Sequence, residues 1–488
     1  MQKHRGRDGD GVLFVDNVAL GHTRLSVIDL SAKGSQPIKL GHFNLTYNGE
    51  IYNYKDFYTG NGNDAIALLE QINKVGLDLA VTHLNGMFAF GLYNQQTKDI
   101  HLVVDRIGQK PLYYTSNGEG FAFASTPVAL LKTRDKWSIN KTALESYWKL
   151  GSVMGNLCIW EGITKVEGGT IVTYNTESKQ ISVKRYWSPQ FVENTSGIQD
   201  LVIDAIDKIK VADVPVHIFL SGGIDSSLVA SRFQGGNAIH LESIETQYAQ
   251  QVATKFNIDL KTVSPVDVDL RACLIDYALK CGEPSMAGII PYITAGEVKK
   301  YAKVAVTANG ADELFFGYDR TEQNITTKQI NHIFRAGFNY EYQLPEIDPR
   351  LSQGRWLELM TYIQHDLNKT LDFASMAHTV EMRAPFLDHR LIEMALSIPQ
   401  EHHGRKEILK NMLRALGFDE KFIQRQKQGF SLHYTPKDMN QFKDEAFNWC
   451  IAEGHLTVRT VSVRDIEYLK MCALSYYWFY LTFKHLIE

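Results

Sequence analysis

Cysteine is scarce in this chain. The five residues Cys158, Cys273, Cys281, Cys450 and Cys472 are an odd number, widely separated, with no CxxC pair. That excludes a disulfide framework and a cysteine zinc site, and points to a reducing compartment. Proline is scarce too, 13 in 488 residues, so no proline-rich linker or stalk is expected. An excess of one charge is missing: the net charge is −4, which leaves no chain-wide basic footprint for nucleic acid. Long hydrophobic runs are missing as well. The nearly apolar stretch 471–483 is interrupted by Ser475 and Thr482, is too short to span a bilayer, and reads as a buried helix. The opening MQKHRGRDGDG has no apolar core and is no secretory signal. A cytoplasmic protein that binds neither nucleic acid nor membrane is expected.

What is present is globular: 44% hydrophobic and 22% charged residues. At roughly 150 residues per domain the length calls for two to four domains. Residues 1–190 read mainly as β-structure. The runs 12–15, 43–47, 87–93, 100–104 and 121–125 are short and apolar, and Asn48-Gly49, Asn85-Gly86 and Asn117-Gly118 stand where hairpin turns would fall. One helix, about 64–73, interrupts them. The polar stretch 188–197 is the best boundary. Beyond it, in a second domain over 195–488, Ile198, Leu201, Val202, Ala205, Ile206 and Ile209 recur at helical spacing. The runs 214–220 and 302–308 suit buried parallel strands, so a doubly wound α/β domain is expected, followed by about 150 mostly helical residues.

The strongest motif is Ser221-Gly222-Gly223-Ile224-Asp225-Ser226-Ser227, between a strand and a helix. The two glycines let the backbone approach an anion. The helix start offers unpaired N–H groups and a positive dipole end, and the serines add hydroxyl donors. An acid beside a phosphate makes sense with a cation between them, so Asp225 should hold Mg²⁺. A plain turn with serine caps is the alternative. The GxxxxGK[ST] pattern is absent, and the heptad resembles the signature of the ATP pyrophosphatase family, whose members split ATP into AMP and pyrophosphate.

Further motifs narrow the resemblance. Glu381-Met-Arg-Ala-Pro-Phe-Leu-Asp-His-Arg390, Ala311-Asp312-Glu313-Leu314-Phe315 and Arg425-Gln426-Lys427-Gln428-Gly429-Phe430 look like the asparagine synthetase C-terminal domain. Gly21-His22-Thr23-Arg24-Leu25-Ser26, Asn48-Gly49-Glu50-Ile51-Tyr52-Asn53, Gly86-Met87-Phe88-Ala89-Phe90 and Asp105-Arg106-x-Gly108-x-Lys110-Pro111 look like its glutaminase domain. The resemblance implies an N-terminal αββα sandwich that hydrolyses glutamine. It implies a C-terminal domain in which ammonia attacks an aspartyl adenylate made from ATP with Mg²⁺. It also implies roles. Arg24 would hold the glutamine α-carboxylate, Asn48 and Gly49 would form the oxyanion hole, and Glu50 and Asp64 would bind the amino end. Leu220 would line the adenosine pocket, with 221–227 and Gly310 around the pyrophosphate. Asp312 would be a second magnesium-side acid, and Lys427 would neutralise the leaving pyrophosphate. Alternatives remain for single residues: Arg24 as a surface salt bridge, Asn48-Gly49 as a turn, Glu50 as a solvated charge, Asp64 as a helix N-cap, Lys427 as a solvated lysine.

Three positions depart from the family pattern. The family's nucleophile is a cysteine at position two, and this chain reads Met1-Gln2-Lys3 with no cysteine before Cys158. Glutamine hydrolysis is therefore expected to be lost in this chain, or its true start to lie upstream. The acid proposed as base for the attacking amine is Asn309, which cannot accept a proton. Arg7 stands where the pattern has proline, a matter for one loop. Three functions compete: an ATP-dependent synthetase of asparagine fed by free ammonia or a separate glutaminase, as monomer or homodimer; a β-lactam-synthetase-like amide ligase; and a non-catalytic scaffold. The retained Asp312-Glu313 pair and NGEIYN motif argue against the second, and the intact phosphate loop against the third.

Overall fold

The strongest apolar runs of the first half become the middle of an antiparallel sheet in the computed structural model, which describes residues 2–118, 120–264, 268–318, 345–399, 404–425, 439–456 and 463–488 (463–465 without side chains). Its strands are β1 (Gly9–Val15), β2 (Val18–Arg24), β3 (Ile38–Leu40), β4 (Phe43–Ile51), β5 (Gly86–Asn94), β6 (Asp99–Val104), β7 (Tyr113–Ser116), β8 (Phe121–Ala124), β9 (Ile163–Lys165), β10 (Thr170–Asn175) and β11 (Ile181–Arg185). Six of them pair in the order β11-β10-β6-β5-β4-β3, β7 lies between β8 and β9, and β1 and β2 form a hairpin. Helices Asp64–Val75 and Leu77–His83 cover one face of the six-stranded sheet, Leu68, Leu69 and Ile72 packing on Leu45, Phe88 and Phe90. The other face meets the smaller sheets through Leu20, Leu102, Phe121 and Tyr174, and helix Pro127–Leu130 lies beyond β7 and β8. The layers run helix, sheet, sheet, helix, as the resemblance implied.

Two sequence expectations fail here. Asn48-Gly49 makes no turn: both residues lie inside β4, opposite Ala89 and Phe88 of β5. Gly49 has φ +136°, and a Cβ there would collide with the Met87 carbonyl, so the glycine serves close strand packing. Asn85-Gly86 opens β5, and only Asn117-Gly118 lies in a hairpin loop, between β7 and β8. The half is also less purely β than its composition reads. Helix Lys141–Leu150 starts at the N-cap Asn140, whose side chain accepts from Ala143 N–H, and buries Ala143, Tyr147 and Leu150. Its aromatic content suits a strand as well as a helix, and burial decides between them.

The second half is built on five parallel strands: β12 (Val216–Phe219), β13 (Asn237–Leu241), β14 (Asp259–Val263), β15 (Val304–Val306) and β16 (Glu381–Arg383). Their order is β14-β13-β12-β15-β16. Helix Ile198–Lys208 packs Val202 and Ile206 on one face beside Ile218, while Val298, Ala302 and Val380 cover Ile239 and Ala305 on the other. The chain runs outward from β12 to β14, then returns to β15 on the opposite side. Strand order therefore reverses between β12 and β15, which is where ligands bind in sheets of this kind.

The two halves share a core. Helix Val463–Phe483 buries Cys472, Tyr476 and Phe479 with Tyr147 and Trp160 of the first half. Asp372 receives Arg5 at 2.7 Å and Lys110 at 3.3 Å, all three buried. Among the described residues no helix is long and apolar enough to cross a membrane.

Candidate active sites

The loops after β12 and β15 meet at the point of strand-order reversal. Gly222 adopts φ +80°, and a Cβ there would lie 2.6 Å from the Ala249 nitrogen, so only glycine fits. Gly223 precedes helix Ile224–Ala230. Ser221 Oγ lies 2.9 Å from Ser226 Oγ, and Gly223 N–H donates to Ser221 Oγ at 3.3 Å, which closes the loop on itself. Ser227 is fully buried, and Leu220 belongs to the core, with its N–H donating to the Ile239 carbonyl. From the β15 side, Gly310 (φ +93°) opens the short helix Ala311–Leu314 that carries Asp312. Asn309 is half-buried on the same loop, its N–H on Thr307 Oγ1 at 3.5 Å.

Between the loops lies a cavity of about 120 Å³, lined by Asp225 and Asp312 and by the cations Arg405, Lys406, Lys410 and Arg425. Lys406 Nζ lies 2.6 Å from Asp225 Oδ2 and 2.5 Å from Asp312 Oδ1. Arg425 donates to the Gly222 carbonyl at 2.7 Å and stacks on the Tyr248 ring at 3.9 Å. Burial works against its charge, holding its pKa below the usual arginine range. Four cations around two carboxylates suit a polyanion. Asp225 and Asp312 are hard oxygen donors close enough to share one cation. Two carboxylates completed by phosphate oxygens and water are a donor set that Mg²⁺ accepts. Among the described residues no group of three or more His, Cys, Asp or Glu could hold a metal by itself. Lys427 lies outside the described residues.

A second cavity, about 610 Å³, opens in the first half and brings together Arg24, Asn48, Gly49, Glu50 and Asp64, with Glu381 of the second half in its wall. Arg24 is no surface ion pair. It is buried, and its guanidinium donates to the Ser31 carbonyl at 2.8 Å and to that of Asp29. Asn48 Nδ2 is buried without a hydrogen-bond partner, a donor waiting for an acceptor. Asp64 is not the N-cap of its helix: Asn63 is, accepting from Ile66 N–H at 3.0 Å. Asp64 instead accepts from Tyr47 Oη at 2.7 Å and Ile51 N–H at 3.0 Å, and burial pushes its carboxyl up to about 6. Glu50 is buried, not solvated. Burial, then Glu381 and Asp64, raise its pKa, while Arg383 at 3.5 Å opposes them. Arg383 itself donates to Glu381 at 2.9 Å and to the Ile209 and Val211 carbonyls at 2.6 and 2.8 Å. Among the described residues no cysteine lines this cavity.

Sequence reasoning assigns no role to Lys406, Arg425 or Arg383, and considers Glu381 only as a substitute base for Asn309. Arg425 belongs to the 425–430 motif and Glu381 and Arg383 to the 381–390 motif; nothing local marks Lys406.

An antiparallel sandwich with a cavity lined by arginine, asparagine and carboxylates, joined to a parallel sheet with a phosphate-type loop at its switch point, defines a two-site protein of amidotransferase and nucleotide-dependent type. The glutamine amidotransferase domain family matches residues 1–187 and the asparagine synthase family matches 197–469, more than half of the chain. The chain belongs to the asparagine synthase family. It is similar to asparagine synthetase (glutamine-hydrolyzing) 1 of Bacillus subtilis strain 168, 27% identical, over 90% of this chain and 84% of that one. It is also similar to asparagine synthetase (glutamine-hydrolyzing) 3 of the same organism, 28% identical, over 89% of this chain and 83% of that one.

Proposed function

We propose that the chain is an ATP-dependent carbon–nitrogen ligase of asparagine-synthetase type, acting on aspartate. An aspartate carboxylate oxygen attacks the α-phosphorus of ATP, and the bond to the β-phosphate oxygen breaks with release of pyrophosphate. Ammonia then attacks the acyl carbon of the adenylate, a C–N bond forms, the C–O bond to AMP breaks, and a proton leaves the nitrogen. The observation that carries this reading is the meeting of 221–227 with Asp312 at the strand-order reversal, beside four cations.

In this reading the backbone of Gly222 and Gly223 and the hydroxyls of Ser221, Ser226 and Ser227 cradle the pyrophosphate. Arg425 fixes the loop through the Gly222 carbonyl. Leu220 and Gly310 border the nucleotide, and Lys427 adds charge beside the leaving group. Asp225 and Asp312 hold Mg²⁺, which when bound neutralises phosphate charge. Asn309 stands near the amine and positions it without taking its proton.

The larger cavity fits glutamine, with Arg24 on its α-carboxylate, Asp64 and Glu50 on its ammonium, and Asn48 and Gly49 on its amide oxygen. With no thiol among the described residues of its lining, the 488-residue chain tested by itself releases no glutamate from glutamine, and its amide step is assayed with ammonia. The test is pyrophosphate release with ATP, Mg²⁺ and aspartate. Wild type releases it only with aspartate present, and Asp225→Ala abolishes it. Release that survives that change, or that ignores aspartate, refutes the reading, as does glutamate production from glutamine for the cavity.

A further inference from the structure

We infer that Lys406 is a built-in cation of the metal site, holding Asp225 and Asp312 together until a metal–nucleotide complex displaces it. The inference rests on the proposed metal-binding role of those two acids.

Two independent observations carry it. The first is geometric. The ammonium of Lys406 touches both carboxylates, at 2.6 and 2.5 Å, with all three side chains largely buried. Mg²⁺ binds carboxylate oxygens at about 2.1 Å. A metal held by both acids would need the space between them that the ammonium fills. The second is conformational. Lys406 has φ +57° and ψ +25°, the left-handed region that glycine and asparagine tolerate and a long side chain rarely adopts. Its N–H donates to the Phe315 carbonyl at 3.0 Å, one residue beyond the helix that carries Asp312, and its own carbonyl accepts from Lys410 N–H at 2.9 Å. The backbone is thus held in a disfavoured conformation by the element bearing one of the two acids. Such strain persists where a side chain is needed in one place.

The consequence is an order of binding. Two buried carboxylates without a counter-charge repel each other, and Lys406 removes that repulsion at rest. A free divalent ion must expel the ammonium unaided. A metal that arrives on a triphosphate brings anionic oxygens to which the displaced ammonium can turn, within a wall that already holds Lys410 and Arg425. Free metal therefore binds weakly and the metal–nucleotide complex binds well.

The test is titration of the full-length protein with Mn²⁺, following the loss of the free-ion paramagnetic resonance signal, with and without ATP. Lys406→Asn keeps a residue that accepts the left-handed conformation, so the fold is preserved, and thermal unfolding checks this. Lys406→Arg keeps the positive charge. Without ATP, Lys406→Asn should bind Mn²⁺ at least about tenfold more tightly than wild type, since a like charge a few ångströms from the metal is gone, whereas Lys406→Arg should stay weak. With ATP, wild type should bind Mn²⁺ well. Equal nucleotide-free affinity in wild type and Lys406→Asn, both binding Mn²⁺ with ATP, would overturn the role of Lys406 and leave the metal site standing. No Mn²⁺ binding by any form even with ATP would remove the metal site, and the inference with it.

Discussion

Arg383 and Glu50 lie in different halves of the chain, and a buried ion pair of 3.5 Å joins them. Arg383 is fully buried and also serves Glu381 and two carbonyls, so it is the centre of the boundary between the larger cavity and the parallel sheet. Arg383→Met should cost about 3–5 kcal/mol, because it leaves carboxylates and carbonyls unpaired inside the protein. Arg383→Lys should not restore stability, since an ammonium cannot reproduce the planar fork. Urea unfolding of the three proteins checks this, and a loss below about 1 kcal/mol in Arg383→Met would contradict it.

Asp64 gives a pH dependence. Its carboxyl is raised by burial to about 6, so it is neutral below that pH and charged above it. Attraction for a ligand ammonium should be present above pH 6 and fade as pH falls through it. Calorimetric titration with glutamine from pH 5 to 8 should show affinity rising across that window in wild type, with the rise blunted in Asp64→Asn. The stability effect has the opposite sign. The raised value means that the folded state holds its proton longer than the unfolded chain, so this group's contribution falls as pH climbs from about 4 to about 6.

Gly222 tests the loop. Alanine there would force a Cβ to within 2.6 Å of the Ala249 nitrogen at a positive φ. Gly222→Ala should lose about 1–3 kcal/mol of stability and most pyrophosphate release, while Gly223→Ala, whose Cβ would meet only Ser221 Oγ at 3.3 Å, should keep its stability. Thermal unfolding with a pyrophosphate assay separates the two.

The strand–turn–helix at 221–227 was legible in the sequence because it is local: Ser221 to Gly223 form the turn and Ile224 to Ser227 begin the helix. The parallel strands were legible because burial on both faces writes continuous apolar runs, and both expected runs became β12 and β15. The boundary chemistry was not legible. Glu50 meets Arg383 and Lys406 meets Asp225 only through the packing of distant segments, and nothing in the neighbourhood of Lys406 distinguishes it from a surface lysine. Asn48-Gly49 misled for the opposite reason. The dipeptide is a good turn former, but strand pairing with Ala89 and Phe88 overrode that preference.

Asn309 predicts a division between the two chemical steps. Adenylation needs no proton acceptor there, whereas the amine must lose a proton, and general-base help is commonly worth ~10²–10⁴ in rate. Amide formation should therefore climb with pH as the free ammonia fraction grows. Asn309→Glu should speed it near pH 7, flatten the climb and leave adenylation little changed. Single-turnover kinetics with ammonium chloride on both proteins checks this, and equal amide rates would place the base elsewhere, with Glu313 and Glu381 the next candidates.

Adenylation itself is tested most directly by exchange of labelled pyrophosphate into ATP, with Mg²⁺ and aspartate and without any amine. Reversal of the first step is the only route for label into ATP under those conditions. Wild type should exchange label in an aspartate-dependent manner, and Asp225→Ala should lower that exchange by about a hundredfold or more, since a charge-stabilising group is lost at the reacting phosphates. Exchange that persists in Asp225→Ala, or that proceeds equally without aspartate, would contradict a ligase working through an aspartyl adenylate at the 221–227 loop.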